Sequence, residues 1–417
     1  MKFSLRAFLW GALSALILLI GVYFLPPVHR RLAWRVDAAR TTLRMMLHPV
    51  APAPPTPVEA TPMATTTPAA TPSATLSPTI TPTPTPGPTA TPTPSPTPIP
   101  PQVQLTPPKW EAQDWNNCGP DTLALYLRWW GWEGDQYDIS RVLKPERGDR
   151  NVNVEELVGF VNTRIPGFSA VYRVGGNLET LKRVLASGMP VMIEESMMFE
   201  EQYWPHDDRW AAHYLLITGY DDTKEVFITQ DSFRGPNLPV SYQTLEHNWE
   251  PFNNVYILVF PNARTDQVKA LLGEDWDTDV NRRKALAWAK EATEKHPDDA
   301  FAWFNLGTNL LYFERYGEAA RAYDQALRLG LPQRFLRYQF GPFIAYFHTG
   351  RFQDLLALTE YALKITPNSE EAHLWRGWAY YRLGERQKAI EEFRAALEAN
   401  PHYEDAKYAL QFVGARP

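Results

Sequence analysis

Cysteine is nearly missing from this chain of 417 residues: there is one, Cys118. A single thiol cannot close an intramolecular disulfide and cannot supply a multi-cysteine metal site, so both are excluded. An excess of one charge is lacking too. The balance of 41 basic against 47 acidic side chains gives a formal net charge of −6, which offers nucleic acid no electrostatic attraction. One stretch is without aromatic residues. Between Ala51 and Pro100 there is no Phe, Trp or Tyr and a single charge, Glu59. What fills it is 17 Pro and 15 Thr. Runs such as Thr81-Pro82-Thr83-Pro84 cannot form hydrogen-bonded ladders or a core. They favour extended backbone, so residues 51–108 are expected to be a disordered Pro/Thr-rich linker with a reach on the order of 150 Å.

Ahead of that linker, Ala7 to Leu25 is a run of 19 residues without a charge, flanked by Lys2, Arg6, Arg30 and Arg31. As a helix it measures about 28 Å, close to the hydrocarbon thickness of a bilayer. The run ends Tyr23-Phe24-Leu25-Pro26-Pro27, without the small residues of a cleavage site, and no cysteine follows it to carry a lipid. Residues 1–50 are therefore read as an uncleaved signal anchor, with a single transmembrane helix over about 7–25 and a juxtamembrane segment. Arg30, Arg31, Arg35, Arg40 and Arg44 follow the span, and the positive-inside rule counted plainly keeps that side in the cytoplasm.

Past the linker, residues 109–262 mix helix and strand signals. Leu123, Leu127 and Trp130 fall at i, i+4 and i+7 after Cys118, predicting a helix. Val191–Ile193, Tyr214–Thr218, Glu225–Thr229 and Val255–Phe260 read as strands, so this is an α+β domain. From 266 to 417 strand signals vanish and a period of 34 emerges: Gly273 and Gly307, Ala285 and Ala319, Ala292 and Ala326, Pro367 and Pro401. Small residues let paired helices approach and aromatics fill the groove of the next pair. This spacing resembles the tetratricopeptide repeat. It implies an all-α solenoid of about four units, the first (Asp266–Asp299) and third degenerate, closed by a helix over Glu404–Val413.

Cys118 sits in Asn116-Asn117-Cys118-Gly119-Pro120, at the amino end of the predicted helix. Pro120 suits a first turn, where its missing N–H costs nothing. Free N–H groups and the helix dipole there favour thiolate. A hairpin centred on Asp222 sets His213 opposite Asp231, where the carboxylate can fix the imidazole tautomer. Gln113, five residues before the cysteine, can donate to a developing oxyanion. The loop His206-Asp207-Asp208 holds no complete ligand set and reads as solvated; Trp129, Trp130 and Trp132 read as packing residues. No cofactor and no metal are expected.

Together these residues resemble the papain-like peptidases of the bacteriocin-processing group, peptidase family C-39 and its relatives. The matching features are Gln113, Asn117-Cys118-Gly119-Pro120, His213 with its apolar strand ending Gly219-Tyr220-Asp221, and Asp231. The resemblance implies a papain-like fold with Cys118 as nucleophile, His213 as general base and then acid, Asp231 as orienter and Gln113 as oxyanion donor. The family often has Asp-Pro where this chain has Asp231-Ser232. The exporter and ATPase of the transporter-linked members are not found here, so removal of double-glycine leaders is not implied. The expected function is a membrane-anchored cysteine peptidase acting on a peptide or protein, with a protein partner held by the repeats. The alternative is a non-enzymatic surface adaptor on a degenerate peptidase fold. Linker composition and the frequent use of this peptidase family outside the cytoplasm place the globular part extracytoplasmically, against the arginine count.

Overall fold

The computed structural model describes residues 5–58, 99–145 and 151–416. Two helices lead the chain, α1 (Leu5–Tyr23) and α2 (Pro26–Leu47). Pro26 and Pro27 start α2, where a missing N–H is harmless. The expected span over 7–25 falls largely on α1, although the side chains of 5–9 and 16 lie outside the described set. Among the described residues no helix is long and apolar enough to cross a membrane. Most of the expected linker, 59–98, also lies outside the described residues.

Order begins earlier than the expected boundary at 109, because β1 (Gln102–Gln104) is already a strand. There follow α3 (Cys118–Trp129), α4 (Gln136–Leu143), α5 (Val154–Arg164), β2 (Phe168–Arg173), α6 (Leu178–Ala186), β3 (Val191–Met198), β4 (Trp210–Asp221), β5 (Val226–Asp231), β6 (Gly235–Ser241), α7 (Tyr242–Trp249) and β7 (Tyr256–Pro261). The strands form one antiparallel sheet in the order β2-β7-β3-β4-β5-β6, and β1 adds to β4. Strand β3 is buried from Val191 to Met197 and β4 is buried at nearly every position, as a sheet covered on both faces requires. One face packs on α3 and α5 through Leu123, Leu157, Met192 and Leu216. The other packs on α6 and α7 through Leu181, Ile193, Leu215 and Trp249. The α+β expectation for this region is met.

The remaining helices are α8 (Thr265–Leu272), α9 (Thr278–Lys295), α10 (Ala300–Tyr312), α11 (Tyr316–Leu329), α12 (Gly341–His348), α13 (Phe352–Ile365), α14 (Glu370–Arg382), α15 (Arg386–Ala399) and α16 (Glu404–Phe412). Their repeat spacing has the expected cause. A Cβ on Gly307 would meet the Tyr323 ring at 2.6 Å, and one on Gly377 would meet the Phe393 ring at 2.5 Å. Both rings are fully buried. Only glycine lets these helix pairs close over an aromatic side chain.

The solenoid is not a separate body. A single buried apolar cluster runs from Leu123 and Leu157 through Trp210 and Phe252 to Phe304, Phe335, Tyr346 and Leu363. Polar contacts cross the same seam. Asn253 and Asn309 exchange amide hydrogen bonds at 3.1 Å in both directions, and Asn281 pairs with both the N–H and the carbonyl of Val174. The loop 206–208, expected to be solvated, is part of this seam. Asp207 is buried and takes a two-pronged contact from the buried Arg334, with Nη1–Oδ1 and Nη2–Oδ2 both at 2.6 Å. The reason is the guanidinium: it supplies the charge and donors that water would otherwise give.

Candidate active site

The helix α3 begins at Cys118, and its start is built by side chains rather than by a standard cap. Asn117 donates its amide to Gln136 at 2.7 Å, while Lys144 donates to the carbonyl of Asn116 at 2.6 Å. Asn116 takes the left-handed φ of 53° that turns the chain into the helix. Pro120 occupies the first turn as expected. The thiol is thus fixed at a helix amino terminus, with the Lys144 ammonium nearby.

His213 comes from near the start of β4 and is 2% exposed. Its Nε2 lies 2.8 Å from Oδ1 of Asp231, which leaves Nδ1 as the nitrogen for Cys118. The contact is the one expected, but the register is not. The hairpin turns later, pairing Asp221 with Val226 and Gly219 with Ile228, and then shifts by one at Thr218 so that Ile217 pairs with Thr229. Continued regularly from the turn, the ladder sets Asp231 against Leu216, on the face opposite His213. The bulge at Thr218 moves it opposite Leu215, onto the face of His213 and diagonal to it, within side-chain reach. Gln230 holds the bulge by donating to the Thr218 hydroxyl at 3.0 Å.

Electrostatics follow from this placement. Burial pushes the Cys118 thiol up, but hydrogen bonding and charge from His213, then Lys144 and the Gly119 N–H, bring it below its ordinary value. Burial pulls His213 down, and its bonds to Asp231 and Cys118 outweigh that, raising it to about 10. Burial also opposes ionisation of Asp231, yet His213 and the N–H groups of Arg234 and Phe233 hold it below the usual carboxylate range. All three shifts run toward the charged forms: thiolate, imidazolium and carboxylate.

Gln113 is brought to the same place. Its N–H donates to the Ser232 carbonyl at 2.9 Å, and its side-chain oxygen accepts from the Ser232 hydroxyl at 2.9 Å. With that oxygen occupied, the amide NH2 is the end left to donate. The departure from Asp-Pro supplies this contact, since a proline at 232 has no hydroxyl to donate to Gln113.

Sequence reasoning missed two acids. Glu194 and Glu195 lie on β3, opposite Tyr214 and His213 respectively, and both are buried. Glu194 shares with Cys118 a cavity of about 20 Å³, lined also by Gly119, Ala212, Tyr214 and Tyr338. Burial first, then the charges of Glu155 and Cys118, keep it far above the ordinary carboxylate range. Glu195 has an oxygen without a hydrogen-bond partner among the described residues. Burial raises it to about 7 against the attraction of His213. The signal was legible: adjacent carboxylates inside an apolar strand are costly unless neutralised or used. Tyr338, contributed by the solenoid, was not foreseeable from the motif. No group of His, Cys, Asp and Glu fit to hold a metal ion occurs among the described residues.

A helix-borne cysteine, a strand-borne histidine and an aspartate bonded to that histidine are the arrangement that a cysteine hydrolase requires. Residues 97–257 match the Peptidase_C39 like family, and residues 304–370 and 370–403 match tetratricopeptide repeats. The chain thus carries a C39-like peptidase domain followed by tetratricopeptide repeats.

Among curated proteins it is similar to Protein O-mannosyl-transferase TMTC3 of Mus musculus, 26% identical over 194 residues, which is 42% of this chain and 21% of the relative. The Homo sapiens protein is 25% identical over the same shares. The chain spans about a fifth of the length of these relatives. Among solved structures it is similar to a double glycine motif protease from an AMS/PCAT transporter in complex with the leader peptide. That match has 11% identity, 38% of this chain, 95% of that chain and a TM-score of 0.29. Xylellain, a cysteine protease from Xylella fastidiosa, is 14% identical over 39% of this chain and 87% of its own, with a TM-score of 0.30. MamA from Desulfovibrio magneticus RS-1 is 20% identical over 36% and 81%, with a TM-score of 0.30.

Proposed function

We propose that the protein is a membrane-anchored cysteine hydrolase acting on peptide bonds, with Cys118 as nucleophile. The observation that carries this reading is the buried 2.8 Å contact between His213 and Asp231, which leaves the other imidazole nitrogen to the thiol. His213 takes the role of the cation that holds Cys118 as thiolate and then protonates the leaving amine. Asp231 holds the ring orientation. Gln113, oriented by Ser232, and the N–H groups at the start of α3 donate to the oxyanion. Incubation of the full chain with a denatured protein pool, followed by mass spectrometry of new amino termini, tests the reading. Cleavage products that vanish with Cys118→Ser support it; products unchanged in that variant refute it.

Membrane anchoring rests on the charge-free run 7–25 and on the large apolar side chains of α1, from Trp10 to Val22, that the protein itself leaves exposed. The extracytoplasmic placement rests on the Thr/Pro composition. Protease shaving of intact cells that releases the globular part supports it, and survival of that part until lysis refutes it.

A second reading, the non-enzymatic adaptor, draws on the narrowness of the cavity at Cys118. About 20 Å³ holds roughly one water, and Tyr338 closes it from the solenoid side. The continuous core makes the repeats a brace for the peptidase-like domain first. A protein partner belongs on the outer helices α14 to α16, where Tyr408 and Phe412 are exposed.

A further inference from the structure

Neither the active site nor the repeat pattern accounts for residues 41–58. They run from the end of α2 into the first prolines, and they are fixed to the body along their length. Thr41 and Met45 are 3% and 4% exposed, and Met45 belongs to the apolar cluster shared by the two domains. The Thr42 hydroxyl donates to the Tyr203 carbonyl at 2.7 Å, and Arg44 donates to the carbonyl of Ile365 at 3.2 Å. Pro54 is buried. The carbonyl of Ala51 accepts from the Tyr361 hydroxyl at 3.2 Å and the Gln333 amide at 3.5 Å. The N–H of Val58 donates to Asp354 at 2.7 Å. A proline-rich strand has few N–H groups and makes no ladder, so its polar groups are recognised one at a time by side chains.

The far end of the Pro/Thr stretch is fixed as well. Tyr220 donates to the carbonyl of Pro100, the N–H of Asp222 donates to Pro101 at 2.9 Å, and β1 joins the sheet at once. Residues 59–98 therefore connect two points held on one body.

We propose that the surface formed by Tyr203, Gln333, Asp354, Tyr361 and Ile365 is a docking site for the chain's own segment 41–58. The chain then enters and leaves the Pro/Thr stretch on the same globular body, so that stretch is not the spacer between the body and its amino-terminal helices. The spacing from α1 to the body is set by the part of α2 ahead of Thr41, residues 26–40, about 22 Å of helix, instead of the long reach of an extended stalk. Tethering keeps the segment at an effective concentration on the order of mM, so even a weak contact stays closed. This inference is independent of the catalytic reading, since no group in it touches Cys118 or His213.

Spin labels on Thr56→Cys and Glu360→Cys, in the full chain carrying Cys118→Ala and held in detergent, report the docking by pulsed dipolar spectroscopy. A narrow distance distribution is expected. Met45→Asp should release the segment and broaden it. A control pair, Glu360→Cys with Glu404→Cys, should stay narrow in both backgrounds and show that the body is folded. A broad Thr56–Glu360 distribution in the Met45 protein, with the control pair narrow, overturns the proposal.

Discussion

Arg334→Ala is the substitution that tests whether the solenoid and the peptidase-like domain form one body. Arg334 and Asp207 are each 2% exposed and meet through two contacts of 2.6 Å. The guanidinium also donates to the carbonyl of Trp210 at 3.1 Å and lies 4.1 Å from the Trp204 ring centroid. Three residues beyond Trp210 is His213. Removing one member of a buried ion pair costs about 3–5 kcal/mol, because the other charge stays buried without its partner. Asp207 keeps two N–H donors, from Tyr203 at 2.8 Å and Arg209 at 3.0 Å, which places the cost near 3 kcal/mol. At roughly 2–4 °C per kcal/mol for a body of this size, melting should fall by about 6–12 °C. Circular dichroism melting measures it, and alkylation of Cys118 at 25 °C should slow in parallel as the loop before β4 loosens. The double variant Arg334→Met with Asp207→Asn buries no charge and should recover more than half of the loss. A loss under about 1 kcal/mol, the range of an exposed pair, with unchanged alkylation would refute the account of a solenoid wired to the site.

Glu195→Gln should change the pH dependence of stability. Glu195 ionises at about 7 in the folded chain against about 4.3 when unfolded, so the unfolded chain releases its proton first and stability falls as pH rises through that window. Denaturant melts at pH 5 and pH 7.5 should show this fall in the parent and a smaller one in the variant; equal falls would remove Glu195 from the argument. Ser232→Ala frees the amide of Gln113 to flip, and turnover should drop about tenfold with little change in KM, short of the roughly 10²–10³ expected for Gln113→Ala. An unaffected rate would mean that Ser232 orients nothing. Gly377→Ala puts a Cβ 2.5 Å from the buried Phe393 ring and should destabilise by about 1–3 kcal/mol, read by the shift of the denaturation midpoint.

Much of the site was legible because its parts are local. Cys118 before Pro120 announces a helix start, and the glycines and aromatics at a spacing of 34 announce helix pairs. The His213–Asp231 contact was foreseen through a register that the structure does not have. The turn lies later than Asp222, and only the bulge at Thr218 returns Asp231 to the face of His213. A sequence shows alternation but not where one residue is left unpaired. What could not be read was distant in the chain. Asp207 looked solvated because its partner Arg334 lies 127 residues away. The spacing of 34 told that helix pairs stack but not that the peptidase-like domain packs on them. The docking of 41–58 was hidden for the same reason, since prolines carry no periodicity that names a partner.

The central claim is that Cys118 is held as a thiolate by His213 and Asp231. Its most direct test is the rate of carboxamidomethylation of Cys118 in the full chain between pH 5 and pH 9, followed by intact mass. The account predicts a wild-type rate that levels off at a lower pH than that of a His213→Ala variant, whose rate climbs about tenfold per pH unit towards the free-thiol value of about 8.5. A wild-type rate that climbs the same way, indistinguishable from the variant, would contradict it.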